Sequence, residues 1–322
     1  MLQDIHFRLQ DTQMINSYNE WDPLEEIVVG SATYATWPST DPIFAQESVK
    51  TTWTETPVPS GPVPQWIIDE ANEDLDALAD TLTKLGIIVH RPQEMNFRES
   101  GGMYNYCPRD RLLIAGSTVI DTAMMYPCRD QEIQALDFVI NDAEQVLTMP
   151  KNSGCVLDAA NILRLGKDKY LFLESASGNK LAWYWLLANL PTTTSMEICN
   201  FYSGVHIDST IVPLREGLVL LNASRVNETN CPHVFDDWEK IWINDDQIVA
   251  QDFYQYPYAS KWIGLNMLVV DPNTVIVDAA QHILIEMLAR KNFTVIPRTL
   301  RHSRTLGGGF HCVTLDLRRR HA

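Results

Sequence analysis

The sequence predicts a circular α/β fold, in which similar units of strands and helices surround one axis. A strand–turn–strand pattern recurs at a spacing of about fifty residues, which is typical of stacked or radially arranged units. Helical stretches separate these repeats. The glycine run Gly307–Gly309 is not a Gly-x-Gly-x-x-Gly motif that opens a helix, so an open Rossmann sheet with a dinucleotide site is not indicated.

The first predicted helix follows the proline-rich stretch 57–64 and begins at Gln65. Gly86 is a suitable residue to end this helix, and Ile87-Ile88-Val89 then predicts a strand. The spacing of apolar residues places one set on a single face of the helix. This predicted face comprises Ile68, Leu75, Leu78, Leu82 and Leu85.

Four hairpins are predicted downstream, each with a polar turn between two apolar runs. They span Asp110–Ile120, Asn161–Phe172, Thr210–Leu221 and Asn266–Val277. Apolar periodicity in the intervening stretches predicts helices. These helices span Asp130–Leu147, Asn179–Leu190 and Ala279–Lys291.

Several residues with versatile chemistry stand at or just before a strand–turn–strand unit. They are Asp110, Asp158, Asp208 and Cys312. In a circular arrangement the equivalent ends of the repeated units face one axis. We therefore expect these four residues, distant in sequence, to share one pocket.

The composition is that of an ordinary soluble globular protein, because 45% of the 322 residues are hydrophobic and 20% are charged. The length alone fits two average domains or one large α/β domain. A net charge of −16 argues against nucleic acid as a partner, since nucleic acid requires a basic surface. The same charge favours the attraction of cationic small molecules.

The apolar runs, such as Ala182–Leu190, are too short to cross a bilayer, and the first residues show no signal-peptide pattern. The six cysteines contain no Cys-x-x-Cys pair, so neither a disulfide framework nor a zinc site is indicated. We therefore expect a cytoplasmic protein that is not bound to a membrane.

The strongest chemical signal is Cys312, which closely follows the run Gly307–Gly309. Glycine lets a backbone approach another group, because it has no Cβ. His206 and Asp208 form a His-x-Asp pair about a hundred residues upstream. Together these groups suit covalent catalysis, in which a base activates the thiol and a carboxylate orients the base. The remaining cysteines are interpreted as structural, as are His233, His282, His302 and His311.

Five segments occur in the order found in the amidinotransferases, and the chain resembles this family from about Asn19 to Arg320. The segments are Asn19–Glu26, Cys107–Asp110, Asp158–Ala160, His206–Asp208 and Gly307–Cys312. Within this family, its motifs most resemble those of the arginine:glycine amidinotransferase branch. This resemblance implies a five-bladed α/β-propeller of pseudo-symmetric ββαβ modules, with one catalytic domain over residues 1–322.

The resemblance also implies a role for each matching residue. Cys312 is expected to be the nucleophile, His206 the acid and base, and Asp158 the residue that orients His206. Asp110 and Asp208 are expected to bind the guanidinium of arginine, whose five donors suit two carboxylates. Cys312 itself carries the amidino group while ornithine leaves, so no metal or organic cofactor is implied.

Two expectations about local geometry and charge follow. His206 and Asp208 are two residues apart, which on a strand places both side chains on the same face. The carboxylates of Asp110 and Asp208 disfavour the thiolate of Cys312 in the empty site, because like charges raise a pKa. A bound guanidinium reverses this effect.

Arg225 and Ser260 match family positions that bind the α-carboxylate of the donor, and arginine is a natural bidentate partner of a carboxylate. L-Arginine is therefore the expected donor. Ser203 and Val205 stand where the glycine-specific enzymes carry Asn and Met, so the loop before His206 is less bulky. We expect an acceptor larger than glycine, namely lysine, a diamine or a polyamine.

Three alternatives stay open. A glycine amidinotransferase would make guanidinoacetate, and an arginine deiminase would use similar groups but let water attack. An inactive propeller would bind guanidines without turnover, although the intact Cys312 and His206 argue against it. The expected partners are arginine and an amine acceptor. A homo-oligomer also stays open, because related enzymes are often dimers but no interface is visible in the sequence.

Overall fold

The computed structural model describes residues 15–38, 41–44, 59–201, 206–250 and 259–321. Within these ranges the chain forms five three-stranded sheets and one two-stranded sheet. The three-stranded sheets are numbered I to V here in the chain order of their hairpins. Sheet I comprises Leu112–Ala115, Thr118–Asp121 and Gln145–Thr148, and sheet II comprises Ile162–Gly166, Lys169–Leu173 and Ser195–Cys199. Sheet III comprises Ile211–Arg215, Leu218–Asn222 and Glu239–Ile243, and sheet IV comprises Leu268–Asp271, Thr274–Asp278 and Thr294–Arg298. Sheet V comprises Thr314–Arg319, Leu24–Val29 and Ile88–His90.

Each three-stranded sheet is built in the same way. Two strands pair antiparallel, and a third strand then pairs parallel with the second. A parallel neighbour requires a crossover connection, which explains the helices or longer segments before every third strand. The four predicted hairpins are the hairpins of sheets I to IV, so the local sequence pattern located them correctly.

Sheet V closes the ring, because it joins the two ends of the described chain. Thr314–Arg319 pairs antiparallel with Leu24–Val29, which pairs parallel with Ile88–His90. This closure confirms the predicted circular α/β fold of five repeated units. The two-stranded sheet lies outside the repeat and pairs Thr36–Trp37 with Gly61–Pro62.

The helices lie mainly in the connections between strands. The α-helices span Gln65–Lys84, Phe97–Ser100, Pro108–Arg111, Asp137–Asn141, Lys180–Asn189, His282–Arg290 and Ser303–Leu306. The 3₁₀ helices span Pro127–Leu136, Ala159–Asn161, His233–Phe235, Asp245–Gln247 and Lys261–Leu265. Within the described ranges, no helix has both the length and the apolar composition that a membrane crossing needs.

The helix Gln65–Lys84 buries an apolar face that includes Leu75, Leu78 and Leu82, as predicted. Leu85 does not belong to this face, because it is 45% exposed beyond the last helical residue. Gly86 follows with a φ of 85°, a left-handed conformation that suits glycine and ends the helix.

The prediction of a helix over Asp130–Leu147 is wrong in its second half. The segment begins as the 3₁₀ helix Pro127–Leu136 and the short α-helix Asp137–Asn141. Gln145–Thr148 then forms the third strand of sheet I, parallel to Thr118–Asp121. Pairing with the neighbouring strand decided this conformation, which the local periodicity did not show.

Candidate active site

A buried polar residue or cysteine stands two to four residues before the first strand of every three-stranded sheet. These residues are Asp110, Asp158, Asp208, Asn266 and Cys312, for sheets I to V in that order. Hydrogen bonds and ion contacts join their side chains, directly or through His206. The fold therefore gathers one group from each sheet into a single site.

The Cys312 side chain is 1% exposed and lies between two polar groups. Its Sγ donates a hydrogen bond to Oδ2 of Asp208 at 3.1 Å and accepts one from Nδ2 of Asn266 at 3.1 Å. These two hydrogen bonds orient the thiol.

The three glycines before Cys312 lack a side chain for two reasons, a left-handed backbone at the first and close packing at the other two. Gly307 ends the helix Ser303–Leu306 with a φ of 79°. A Cβ on Gly308 would lie 2.4 Å from Sγ of Cys107, and one on Gly309 would lie 2.8 Å from the backbone oxygen of Asn266. The close backbone approach predicted for this run is confirmed, because the loop packs directly against its neighbours.

His206 lies between two carboxylates of the site. Its Nε2 contacts Oδ2 of Asp158 at 3.1 Å, and its Nδ1 lies 3.7 Å from Oδ1 of Asp110. Burial lowers the pKa of His206, but the charge of Asp110 and the hydrogen bond to Asp158 raise that pKa well above its ordinary value. The imidazole is therefore held in its protonated form.

The prediction that His206 and Asp208 lie on a strand is wrong. They precede the strand Ile211–Arg215, and the backbone from Ile207 onward forms a turn, in which Thr210 N donates to Ile207 O at 2.8 Å. Both side chains nevertheless reach the site. A backbone hydrogen bond of 3.2 Å from Ile207 to Ala160 holds this turn beside the segment that carries Asp158.

Asp110 has one carboxylate oxygen bound and the other unbound. Its Oδ2 accepts a hydrogen bond from Nη1 of Arg129 at 2.8 Å. Its Oδ1 is buried and accepts no hydrogen bond within the described residues. Burial raises the pKa of Asp110, although the charges of His206 and Arg129 lower it in part. A buried acceptor of this kind is costly unless a ligand donates to it.

The pKa of the Cys312 thiol is raised well above its ordinary value. Hydrogen bonding to Cys107, burial and the charge of Asp208 raise it, whereas a hydrogen bond with His206 lowers it. Asp110 adds to the increase, in agreement with the expectation from the sequence. Among the protein's own groups the thiol form is therefore favoured over the thiolate.

Asp208 is held in place by His311, whose Nδ1 lies 2.8 Å from Oδ2 of the carboxylate. Burial raises the pKa of Asp208, but the hydrogen bond and charge of His311 lower it to about 2. Nε2 of His311 faces Oε2 of Glu20 at 3.3 Å. His311, interpreted as structural from the sequence, thus connects the site to the charges behind it.

These charges form a buried cluster, called the charge network here. Its members are Glu20, Arg109, Arg164, Asp316 and Arg319. Oδ2 of Asp316 accepts from Nη2 of Arg164 at 2.6 Å and from Nε of Arg319 at 2.7 Å. Its Oδ1 accepts from Arg109. Arg109 precedes Asp110 directly, so one short helix serves both the network and the site.

The residues predicted to bind the donor carboxylate lie beside the elements that carry the site. Nη1 of Arg225 donates to Oγ1 of Thr210 at 2.7 Å, in the turn that carries Asp208. Ser260 precedes the 3₁₀ helix Lys261–Leu265, which leads into Asn266. Ser203 and Val205 lie outside the described residues.

The distances inside the site suit proton and group transfer. A carboxylate oxygen of Asp110, a ring nitrogen of His206 and Sγ of Cys312 all lie within 4.8 Å of one another. These three atoms could also ligate a metal ion, so the expectation of a metal-free site stays a prediction. A thiol, an imidazole and carboxylates at such distances are the groups that covalent catalysis requires.

Comparison with known proteins identifies the family to which this site belongs. The chain is 40% identical to inosamine-phosphate amidinotransferase 1 of Streptomyces griseus, over 95% of this chain and 97% of that protein. The chain belongs to the amidinotransferase family. It is therefore a transferase, and the resemblance seen in its motifs is confirmed. No family model matches the chain.

Two further comparisons agree. The chain is 29% identical to an L-arginine:L-lysine amidinotransferase of Pseudomonas savastanoi pv. phaseolicola, over 96% of this chain and 95% of that protein. The solved structure of the inosamine-phosphate amidinotransferase from Streptomyces griseus matches with a TM-score of 0.88 and 38% identity, over 96% of this chain and 98% of that chain. The five-bladed α/β-propeller expected from the motifs is thus the fold of this amidinotransferase.

Sequence reasoning missed three residues of the amidinotransferase site, namely Asn266, Cys107 and His311. Asn266 had a detectable signal, because it begins the fourth predicted hairpin as Asp110 begins the first. A neutral amide does not suggest chemistry by itself, so the position was not assigned a role. Cys107 and His311 lie in two of the motif segments, but only the folded chain shows that they contact Cys312 and Asp208.

Proposed function

We propose that this amidinotransferase takes the amidino group from L-arginine, carries it on Cys312 and transfers it to a primary amine larger than glycine. The observation that carries the proposal is the approach of Asp110, His206 and Cys312 to within 4.8 Å in a buried site. A guanidinium between these groups has its central carbon within reach of a nucleophile and its nitrogens within reach of acceptors.

The site has an excess of acceptors that suits the donor. Oδ1 of Asp110 is buried without a hydrogen bond from the described residues. Asp208 supplies a second ionised carboxylate, whose pKa is held at about 2. A guanidinium is planar and permanently charged, so it satisfies such acceptors better than an ammonium group does.

In the first half-reaction the cationic donor favours ionisation of Cys312, whose proton leaves to solvent. The thiolate attacks the central guanidino carbon and a C–S bond forms. His206, held protonated by Asp110 and Asp158, gives its proton to the side-chain nitrogen of the donor. The bond from the central carbon to this nitrogen breaks, so ornithine leaves and the amidino group remains on sulfur.

In the second half-reaction the acceptor amine attacks the same carbon and gives a proton to the neutral His206. The C–S bond breaks, and the new guanidino compound leaves while Cys312 departs as a thiolate. The protonated state of His206 is restored. Because one product leaves before the acceptor reacts, the kinetics are expected to be ping-pong.

Arg225 and Ser260 are assigned to bind the α-carboxylate at the other end of the arginine donor. The hydrogen bond from Arg225 to Thr210, in the turn that carries Asp208, supports this assignment. For the acceptor, the similar inosamine-phosphate and L-arginine:L-lysine amidinotransferases make an inosamine phosphate and lysine the first candidates. Ser203 and Val205 are the positions assigned to acceptor selection.

The test is product analysis after incubation with arginine and single amines. The panel comprises no amine, glycine, lysine, putrescine, spermidine and an inosamine phosphate. The expected result is ornithine in equal amount to one amidinated amine that is not glycine. Citrulline and ammonia without amine dependence would indicate a hydrolase and overturn the proposal.

The variant Cys312→Ala supplies the second arm of the test. It is expected to lose turnover while it still binds arginine, and mass spectrometry of the wild type with arginine alone should show one amidino group on the Cys312 peptide. Cys231→Ser is the matched control, because Cys231 is half-buried and belongs to no contact of the site described above. This control is expected to keep full activity.

A further inference from the structure

Asn266 occupies the position in sheet IV that acidic residues occupy in sheets I to III. It follows the 3₁₀ helix Lys261–Leu265, precedes the strand Leu268–Asp271 and is 1% exposed. Its side chain makes three hydrogen bonds, all with the segment that carries the thiol. A neutral amide at this point is the exception among the five sheet starts that the structure describes, since the others offer carboxylates or a thiol.

The backbone fixes which way the amide points. Oδ1 of Asn266 accepts hydrogen bonds from the backbone N–H groups of His311 and Cys312, each at 3.0 Å. Only the amide oxygen can accept from two N–H donors, so the amide nitrogen must face the opposite side. That nitrogen, Nδ2, lies 3.1 Å from Sγ of Cys312.

The sulfur thus lies between groups with opposite effects on its charge. Oδ2 of Asp208 lies 3.1 Å from Sγ and accepts a hydrogen bond from the thiol. The negative charge of Asp208 repels a thiolate and therefore raises the pKa of Cys312. Nδ2 of Asn266 is a donor and stabilises negative charge on the sulfur. A donor aimed in advance at developing charge is effective in a buried site, because it does not need to reorganise.

The loop around Asn266 preserves this geometry. A Cβ on Gly309 would lie 2.7 Å from Cβ of Asn266 and 2.9 Å from its Oδ1. The backbone of the loop therefore packs directly on the amide, which prevents the side chain from turning away from Cys312.

We propose that Asn266 is a catalytic residue that stabilises the thiolate of Cys312 by hydrogen bonding, both when the thiolate attacks the donor and when it departs from the amidino intermediate. The inference rests on the proposed role of Cys312 as nucleophile. The two ends of the Asn266 amide then have different roles. The oxygen holds the loop, and the nitrogen assists the chemistry.

The variant Asn266→Asp distinguishes these roles. An aspartate keeps an oxygen for the two backbone N–H groups but places a second oxygen, in place of the donor, against Sγ. We expect kcat to fall about 100-fold, the scale seen when one preorganised donor is removed. The deficit should grow as pH rises through the pKa of the new carboxyl, because only its protonated form can donate.

The pKa of Cys312 is the second readout, and a purely structural residue would not change it in this way. It is measured from ultraviolet thiolate absorbance, with the Cys312→Ala protein subtracted to remove the other cysteines. We expect this pKa to be higher in Asn266→Asp than in the wild type. Asn266→Ala is expected to raise it less, because alanine removes the donor without adding a charge.

Two outcomes would overturn the inference without affecting the proposed function. One is an Asn266→Asp enzyme with the wild-type kcat and the wild-type Cys312 pKa. The other is a loss of rate in Asn266→Ala alone, together with a lower melting temperature, which would mean that the side chain only holds the loop. Turnover by Cys312→Ala would instead contradict the proposed function itself.

Discussion

The active site and the charge network lie side by side but differ in how their carboxylates are paired. In the network three guanidinium groups meet the carboxylates of Glu20 and Asp316, and every oxygen of these two carboxylates has a cationic partner. In the site, Oδ1 of Asp110 has no hydrogen bond from the described residues, and the thiol of Cys312 faces the carboxylate of Asp208.

The pKa values express the same difference. Burial raises the pKa of Asp316, but Arg164, Arg109 and Arg319 outweigh burial and hold the pKa well below its ordinary value. Burial also raises the pKa of Asp110, and there its cationic neighbours do not compensate. The paired charges of the network therefore stabilise the fold, whereas Asp110 keeps one buried oxygen without a hydrogen bond from the described residues, which we propose is the acceptor for the cationic donor.

The largest expected effect is on stability and concerns Asp316. Asp316→Asn leaves three buried guanidinium groups with one carboxylate, so the free energy of unfolding should fall by about 3–5 kcal/mol. Asp110→Asn is the matched variant. It should cost less than about 1 kcal/mol, because an amide oxygen still accepts from Arg129 and Arg129 keeps its contact with Glu132. Urea denaturation measures both, and equal losses would contradict the contrast between the clusters.

The second effect is on turnover by the same Asp110 variant. Asp110→Asn removes the charged acceptor that we assign to the guanidinium, so kcat/KM for arginine should fall about 100-fold. Asp76→Asn is the control, because Asp76 forms an exposed pair with Arg91 and belongs to neither cluster, so the variant should leave the rate unchanged. A normal rate in Asp110→Asn would place the guanidinium elsewhere.

A smaller effect is expected at the carboxylate end of the donor. Arg225→Gln should raise KM for arginine about tenfold with little change in kcat, because one charged contact to the α-carboxylate is lost. Agmatine, a guanidine without that carboxylate, provides the comparison in steady-state assays. The variant and the wild type should use it equally well. A parallel loss with agmatine would show that Arg225 supports the turn before Ile211 instead.

The smallest expected effect is a change in the pKa of Cys312 when a cationic ligand binds. Asp208 and Asp110 raise the pKa of Cys312, so a bound cation should lower it by about one unit. A non-reacting arginine analogue with an intact guanidinium tests this through ultraviolet thiolate absorbance against pH. The midpoint should move to lower pH, and an unchanged midpoint would refute the electrostatic account of activation.

The effect of pH on stability follows from the lowered pKa of Asp208. Since this pKa is about 2 in the folded state, the stabilisation by His311 is complete above the ordinary pKa near 4 and is lost as pH falls toward 2. The raised pKa of His206 has the opposite effect on stability. The stabilisation by protonated His206 is complete at low pH and is lost as pH rises through the pKa of His206 in the folded state.

The sequence located most of the fold because the determining signals are local. Two apolar runs around a short polar turn specified the hairpins of sheets I to IV, and the helix Gln65–Lys84 showed its apolar face in its spacing. Gln145–Thr148 had no comparable signal, since three of its four side chains are exposed and its strand conformation depends on pairing with Thr118–Asp121. Domain extent, oligomeric state and localisation stay predictions.

For the site, the sequence by itself determined which groups are available. Cys312, His206, Asp110, Asp158 and Asp208 were identified by residue type and order, because reactive side chains in a known succession are informative without coordinates. Only the tertiary structure decided how these groups act on one another. The turn before Ile211, the donor at Asn266 and the partner of Asp208 depend on contacts between distant segments. Burial and charge balance, which set the pKa values, exist only once those segments have packed together.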